Sequence, residues 1–176
     1  KLNFLIKEAV EKHRKGELRI ANLIYDEILE IEHENLLALQ FKGLLAFQSN
    51  KHESSVALLS RAILLQPYQA DIFNNRGSAF FELGQFEKAL SDYDQAIALD
   101  PNYTDAFYNR GIVFRVLDRL DDALRDYSRA IELRSGHFKA YNDIGIVFHK
   151  LKKLSEALEN YNQAILIKPN YAEALN

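Results

Sequence analysis

Apolar side chains recur along this chain with two nested periods. Over short stretches they fall three and four residues apart, the spacing of one helix face. Over longer stretches the pattern itself repeats every 34 residues, without insertion or deletion. Five copies result, at 2–35, 36–69, 70–103, 104–137 and 138–171, and residues 172–176 open a sixth. Within a copy the apolar positions are 3, 4, 7, 8, 10, 11 and 14, then 17, 20, 21, 24, 27, 28 and 30. The gap between the two runs holds Gly16, Asn50, Gly84 and Asp118, residues that tolerate the left-handed conformation of a tight turn. Pro67, Pro101 and Pro169 stand where the second run ends, as helix stops. Each copy is therefore expected to be a helix–turn–helix hairpin that buries its apolar face only against its neighbours.

The columns show how the packing is to be achieved. The eighth position is always small: Ala9, Gly43, Gly77, Gly111 and Gly145. So is the twentieth, with Ala21, Ser55, Ala89, Ala123 and Ala157. The twenty-fourth is large: Tyr25, Leu59, Tyr93, Tyr127 and Tyr161. Short side chains let two helix backbones approach closely, and large ones fill the hole opposite. These columns resemble the tetratricopeptide repeat family over essentially the whole chain, most closely in copies three to five. The first copy departs most, with Glu8, Lys12, Ile28 and His33 at signature positions; copy five has Lys152 for the turn Gly. The resemblance implies an all-α, right-handed superhelical solenoid in one array, residues 1–176, with first helices lining a concave groove.

Positions 2, 5, 6, 9, 12 and 13 face away from the packing stripe, yet they are not uniformly polar. They carry Phe41, Leu44 and Phe47 in copy two, and Asn74, Asn75, Ser78 and Phe81 in copy three. Copy four contributes Tyr108, Asn109, Ile112 and Arg115, and copy five Asn142, Asp143, Ile146 and His149. Ile6, Val10 and His13 extend the row into copy one. Exposed contiguous apolar surface marks an interaction site, so these residues are the expected peptide-binding groove. Covering of the same residues by the curvature of the array is the competing expectation. The amides at positions five and six offer donor and acceptor together, which suits an extended backbone; arrays of the O-GlcNAc transferase type use such a ladder. Ordinary repeat consensus, with the amides satisfied by water or the next helix, is the favoured reading of them. The family's carboxylate clamp needs Lys at position five. This chain has Ile6, Gln40, Asn74, Tyr108 and Asn142 there, so a chaperone C-terminus is not the expected ligand. Arg76 and Arg110, directly before the packing glycine, are expected to set their heads on a neighbouring Asp.

Composition narrows the picture. Hydrophobic residues at 48% and charged ones at 27% belong to a folded chain, and 7 Gly with 3 Pro are few for a β-rich one. The net charge of −3 is mixed along the chain, without the basic stripe that nucleic acid requires. Twelve acidic against eight basic residues in 70–137 pull weakly on a basic partner. No apolar run suits membrane insertion and no signal peptide is evident; the cytoplasm is the expected compartment. Zero Cys excludes thiolate metal sites and Cys nucleophiles. The five His show no metal-ligand spacing, and no nucleophile elbow or phosphate loop occurs. No catalytic residue, metal or cofactor is expected. The function expected is a scaffold that binds a protein or peptide. A substrate-recruiting arm of a larger enzyme, such as a glycosyltransferase, and a homo-oligomer joined through uncapped ends are the alternatives.

Overall fold

The structure, a computed structural model, describes residues 1–170. The expected start of a sixth copy lies outside them. Among the described residues there are ten helices and no strand. They are α1 (Leu2–Arg14), α2 (Leu18–Ile31), α3 (Leu36–Gln48), α4 (His52–Leu65) and α5 (Ala70–Glu82), then α6 (Phe86–Leu99), α7 (Thr104–Val116), α8 (Leu120–Leu133), α9 (Phe138–Lys150) and α10 (Leu154–Ile167). Odd-numbered helices begin every 34 residues and so do even-numbered ones, the phase of the sequence repeat.

The inter-helix turn is the same in all five copies. Its residue has positive φ at Gly16 (77°), Asn50 (56°), Gly84 (68°), Asp118 (60°) and Lys152 (60°). One residue later, a backbone N–H reaches back to a carbonyl of the first helix: Glu17 to Lys12, Lys51 to Ala46, Gln85 to Phe80, Arg119 to Phe114 and Lys153 to Phe148, at 2.8–3.0 Å. This 6→1 bond closes a helix through a left-handed residue. Lys152 adopts the conformation despite its Cβ, so the turn is imposed by the hairpin and not by glycine alone. The second helices likewise stop without help. Glu32 and Arg134 turn extended as Gln66 does, although only Gln66 of the three precedes a proline.

The chain divides into two compact units, one over Lys1–Leu99 and one from Asp100 onward. In the first, the hairpins α1–α2, α3–α4 and α5–α6 pack in series, with α2 against α3 and α4 against α5. Leu5, Ala9, Ala21, Tyr25 and Ile28 of copy one share a core with Ala38 and Leu45 of copy two. Leu39, Leu59 and Ala62 of copy two meet Ile72 of copy three in the same way. In the second unit α7–α8 and α9–α10 pair and α8 packs on α9, where Ala123, Tyr127 and Ala130 bury Ala140, Ile144 and Val147. Along α10 the outer apolar residues Leu154, Leu158 and Leu166 are exposed, whereas Ile165 is half-buried.

Inside each hairpin the small eighth position faces the large twenty-fourth. A Cβ added at Gly111 would lie 2.7 Å from Tyr127 Cε1, and one at Gly77 would lie 2.9 Å from Tyr93 Cε1. Neither ring has room to withdraw, because Tyr93 and Tyr127 are buried. Gly111→Val should therefore overpack the hairpin and cost about 3 kcal/mol, read as a lower midpoint in urea. The twentieth column contains one misfit: the Ser55 hydroxyl is fully buried and has no hydrogen-bond partner among the described residues. Ser55→Ala restores the residue of the other four copies and should stabilise by about 1 kcal/mol, as removal of an unsatisfied buried hydroxyl does. Thermal unfolding followed by circular dichroism measures the gain.

Candidate binding face

The face expected to bind is carried by the odd-numbered helices, and each unit presents its own part. In the first unit α1 and α3 bound a hollow of about 620 Å³ lined by Ile6, Val10 and Phe41, with Lys7, Glu11, Arg14 and Lys15 around it. Lys15 is held by Glu11 at 2.6 Å, while Lys7 and Arg14 form no ion pair among the described residues. Phe41 stacks on Tyr25 of the preceding copy, ring centroids 6.5 Å apart. Phe47 packs edge-on to His52, and Phe81 against Phe86. Leu44, Phe47, Asn75, Ser78 and Phe81 are all half-buried.

In the second unit Tyr108, Asn109, Ile112, Arg115 and Ile146 are half-buried as well, and His149 alone of the expected residues is exposed. Asn74, Asn142 and Asp143 depart from expectation more sharply: each is buried, with at most 7% of its surface exposed. The reason is geometric. Asp143 at position six lies against the preceding first helix, from which Tyr108 reaches it. The expectation of an open apolar trough is thus corrected to one of half-covered apolar side chains with an amide seam beneath them.

The seam is cross-linked by polar contacts. Gln40 donates to Asp71 at 2.5 Å, joining α3 to α5. Tyr108 donates its hydroxyl to Asp143 at 2.8 Å, joining α7 to α9. His13 lies 2.9 Å from Gln48 across α1 and α3, with its other ring nitrogen 3.4 Å from the Tyr25 hydroxyl. The core tyrosines share in this. Their rings fill the hairpins while their buried hydroxyls meet side chains of the first helices from beneath: Tyr93 lies 3.2 Å from the Ser78 hydroxyl, and Tyr127 accepts from Arg115 at 3.3 Å. Burial pushes the Tyr25 hydroxyl up to about 12 and raises those of Tyr93 and Tyr127 too, so all three stay protonated donors. The tyrosine column reads from sequence as core alone; the polar partners at positions nine and twelve were the signal for a second role.

Arg76 and Arg110 sit behind this face. Each makes a two-pronged pair at 2.7 Å with a buried carboxylate of its own hairpin, Asp92 and Asp126. Arg76 also donates to Ser60 at 3.0 Å. Among the described residues no group of three His, Asp or Glu is placed to hold a metal ion, and no helix is long and apolar enough to cross a membrane.

Comparison with known proteins now bears on this architecture. The tetratricopeptide repeat model matches residues 104–137 and 138–171, the fourth and fifth copies as the sequence delimits them, and a TPR repeat model matches 77–118. Together they span more than half of the chain. It is a tetratricopeptide-repeat protein. Among solved structures, this repeat chain is similar to MamA, with a TM-score of 0.83 at 24% identity over 94% of this chain and 96% of that one. It is similar to YrrB, a TPR protein with an unusual peptide-binding site, with a TM-score of 0.77 at 25% identity over 97% and 88%. The first TPR of Spaghetti (RPAP3), bound to the HSP90 peptide SRMEEVD, matches with a TM-score of 0.65 at 32% identity over 66% and 93%. No curated protein matches. The likeness to the tetratricopeptide fold, all-α and built of helical repeats, extends over the chain.

Asp143 supplies a test of the seam. Burial raises its carboxyl above the ordinary value, against the opposing pull of the Tyr108 hydrogen bond and of Arg115 and Lys139. Its folded value lies above its unfolded one, so the charged form opposes folding above that value and the penalty vanishes below the unfolded value. Asp143→Asn keeps an acceptor for Tyr108 and matches Asn75 and Asn109 of copies three and four. It should raise the melting temperature at pH 7, and the difference from the unsubstituted chain should disappear near pH 3 when both are melted across that range.

Proposed function

We propose that this protein is a binding scaffold that takes a peptide or helical segment of another protein on the face of its odd-numbered helices. The observation that supports it most is the hollow between α1 and α3, where Ile6, Val10 and Phe41 remain half-exposed beside polar groups of fixed direction. Apolar anchors supply affinity in such a site, and the rim of Lys7, Glu11, Arg14 and Lys15 orients the guest. YrrB and Spaghetti are both repeat proteins whose structures concern peptide binding. The mode differs from a carboxylate clamp, since position five carries Ile6, Gln40, Asn74, Tyr108 and Asn142 and no Lys. An acidic chain terminus is therefore not the proposed ligand. A recruiting arm for an attached enzyme would use the same face, and nothing in the structure favours it over a free scaffold.

A peptide selected against the intact chain from a random library provides the test. Ile6→Asp and Val10→Asp place a carboxylate among the anchors and should each weaken that peptide by about ten-fold or more, since burying an unpaired charge is costly, with helical content unchanged. Undiminished affinity in both variants would remove the face from consideration.

A further inference from the structure

Comparing the copies with one another shows a vacancy on the outer side of the second. Position eleven is Phe80, Phe114 and Phe148 in copies three, four and five, but Ala46 in copy two. Position twenty-three is Asp92 in copy three and Asp126 in copy four, but Leu58 in copy two. Where the phenylalanine is present it lies beneath cations. Arg76 stands 5.6 Å and Lys88 5.4 Å from the Phe80 ring. Arg110 at 5.7 Å and Arg119 at 4.3 Å flank Phe114, and Lys153 lies 5.8 Å from Phe148.

In copy two the ring is missing and its surroundings remain. A cleft of about 720 Å³ opens between α2, α3 and α4, with Ala46 in its floor and Leu23, Leu45 and Leu58 in its walls. Lys51 lines it from position sixteen, the position of Arg119 and Lys153, and it has no ion-pair partner among the described residues; nor has Arg19 on the opposite rim. Lys42, at the position of Arg76, also lines the cleft and pairs with Asp26 of the preceding copy instead of a carboxylate of its own hairpin. Leu23 is 62% exposed at its edge. On α3, Lys42 and Ala46 at positions seven and eleven face away from Leu44 at nine, whereas Leu45 at ten is the i+4 neighbour of Phe41.

We propose that this cleft docks a phenylalanine or tyrosine side chain from an acidic segment of a partner protein. The ring takes the volume that the chain's own phenylalanine takes in copies three and four, and Lys51 lies over it as Arg119 lies over Phe114. Carboxylates beside the ring meet Arg19 and Lys51, two cations that the fold leaves unneutralised. The site is separate from the face of the odd-numbered helices, so a partner segment here leaves that face free.

The test is a methyl-resolved NMR titration of the intact chain with the blocked peptide Asp-Glu-Phe-Glu-Asp, repeated with Leu and then Ala in place of Phe. Saturable shifts at Ala46, Leu45 and Leu58 are expected, with affinity at least about ten-fold lower for the Ala peptide, as loss of a buried ring implies. Lys51→Ala should weaken binding by about three-fold. Ala46→Phe fills the cleft with the residue of the later copies and should abolish the shifts while helicity is retained. Should that variant fail to fold, Leu58→Asp introduces the carboxylate of copies three and four and should repel the same peptide. Equal binding of the Leu peptide, shifts centred on Leu44 and Phe41, binding that survives both cleft variants, or a cleft occupied by a second copy on concentrating the protein would each overturn the proposal.

Discussion

The close approach of two helix backbones inside each hairpin is the contact on which everything else rests. It requires a residue with almost no side chain at position eight and a large flat or branched one at position twenty-four. The structure sets those partners against each other, with Tyr127 Cε1 only 2.7 Å from where a Cβ on Gly111 would lie. Once the helices are that close, the turn between them has little freedom. A left-handed residue and a 6→1 hydrogen bond then follow in every copy, even where the residue is Lys152. The cost of positive φ at a residue with a Cβ is of order 1–2 kcal/mol, less than packing a hairpin returns.

Behind the binding face, the copies differ in how they fill one common space. Copies three and four use a phenylalanine, an arginine and a buried aspartate, the two charges joined by paired hydrogen bonds. A buried pair of this kind contributes little net stability against an apolar substitute, but losing one partner strands the other. Copy two uses the apolar substitute at position twenty-three and omits the ring. Copy one satisfies the same positions near the surface, with Lys12 bonded to Glu17 at 2.8 Å. Different solutions of one packing problem thus coexist along the chain, and that of copy two leaves an opening.

The binding face is shaped by that same stacking. Side chains that a single helix would turn to water are half-covered because adjacent first helices meet. Phe41 is the plainest case, being both a member of the candidate site and a plate stacked on Tyr25. Half-burial of this kind holds an anchor side chain in one orientation before a guest arrives, which lowers the entropy lost on binding. The buried tyrosine hydroxyls support the face from beneath, where Tyr93 meets Ser78 and Tyr127 accepts from Arg115.

Much was legible from the residues alone. The 34-residue period, the two helices in each copy, the site of each turn and the small-to-large pairing are properties of spacing and side-chain size, and these are local enough to read along a chain. The Arg76 and Arg110 heads could be assigned to an Asp for the same reason. Depth could not be read. Whether Asp143 faces a guest or a seam depends on how closely the neighbouring first helix with Tyr108 approaches, a distance that no single copy encodes. The hydroxyls of Tyr93 and Tyr127 reach Ser78 and Arg115 only because each ring crosses its hairpin. The cleft at Ala46 was present in the alignment as one alanine in a column of phenylalanines, but whether neighbours would collapse into it was a matter of packing across three helices. Sequence settled which elements form and in what phase, because those follow from backbone preference and periodicity. The tertiary structure decided which side chains remain accessible, because accessibility is a property of the elements packed around them.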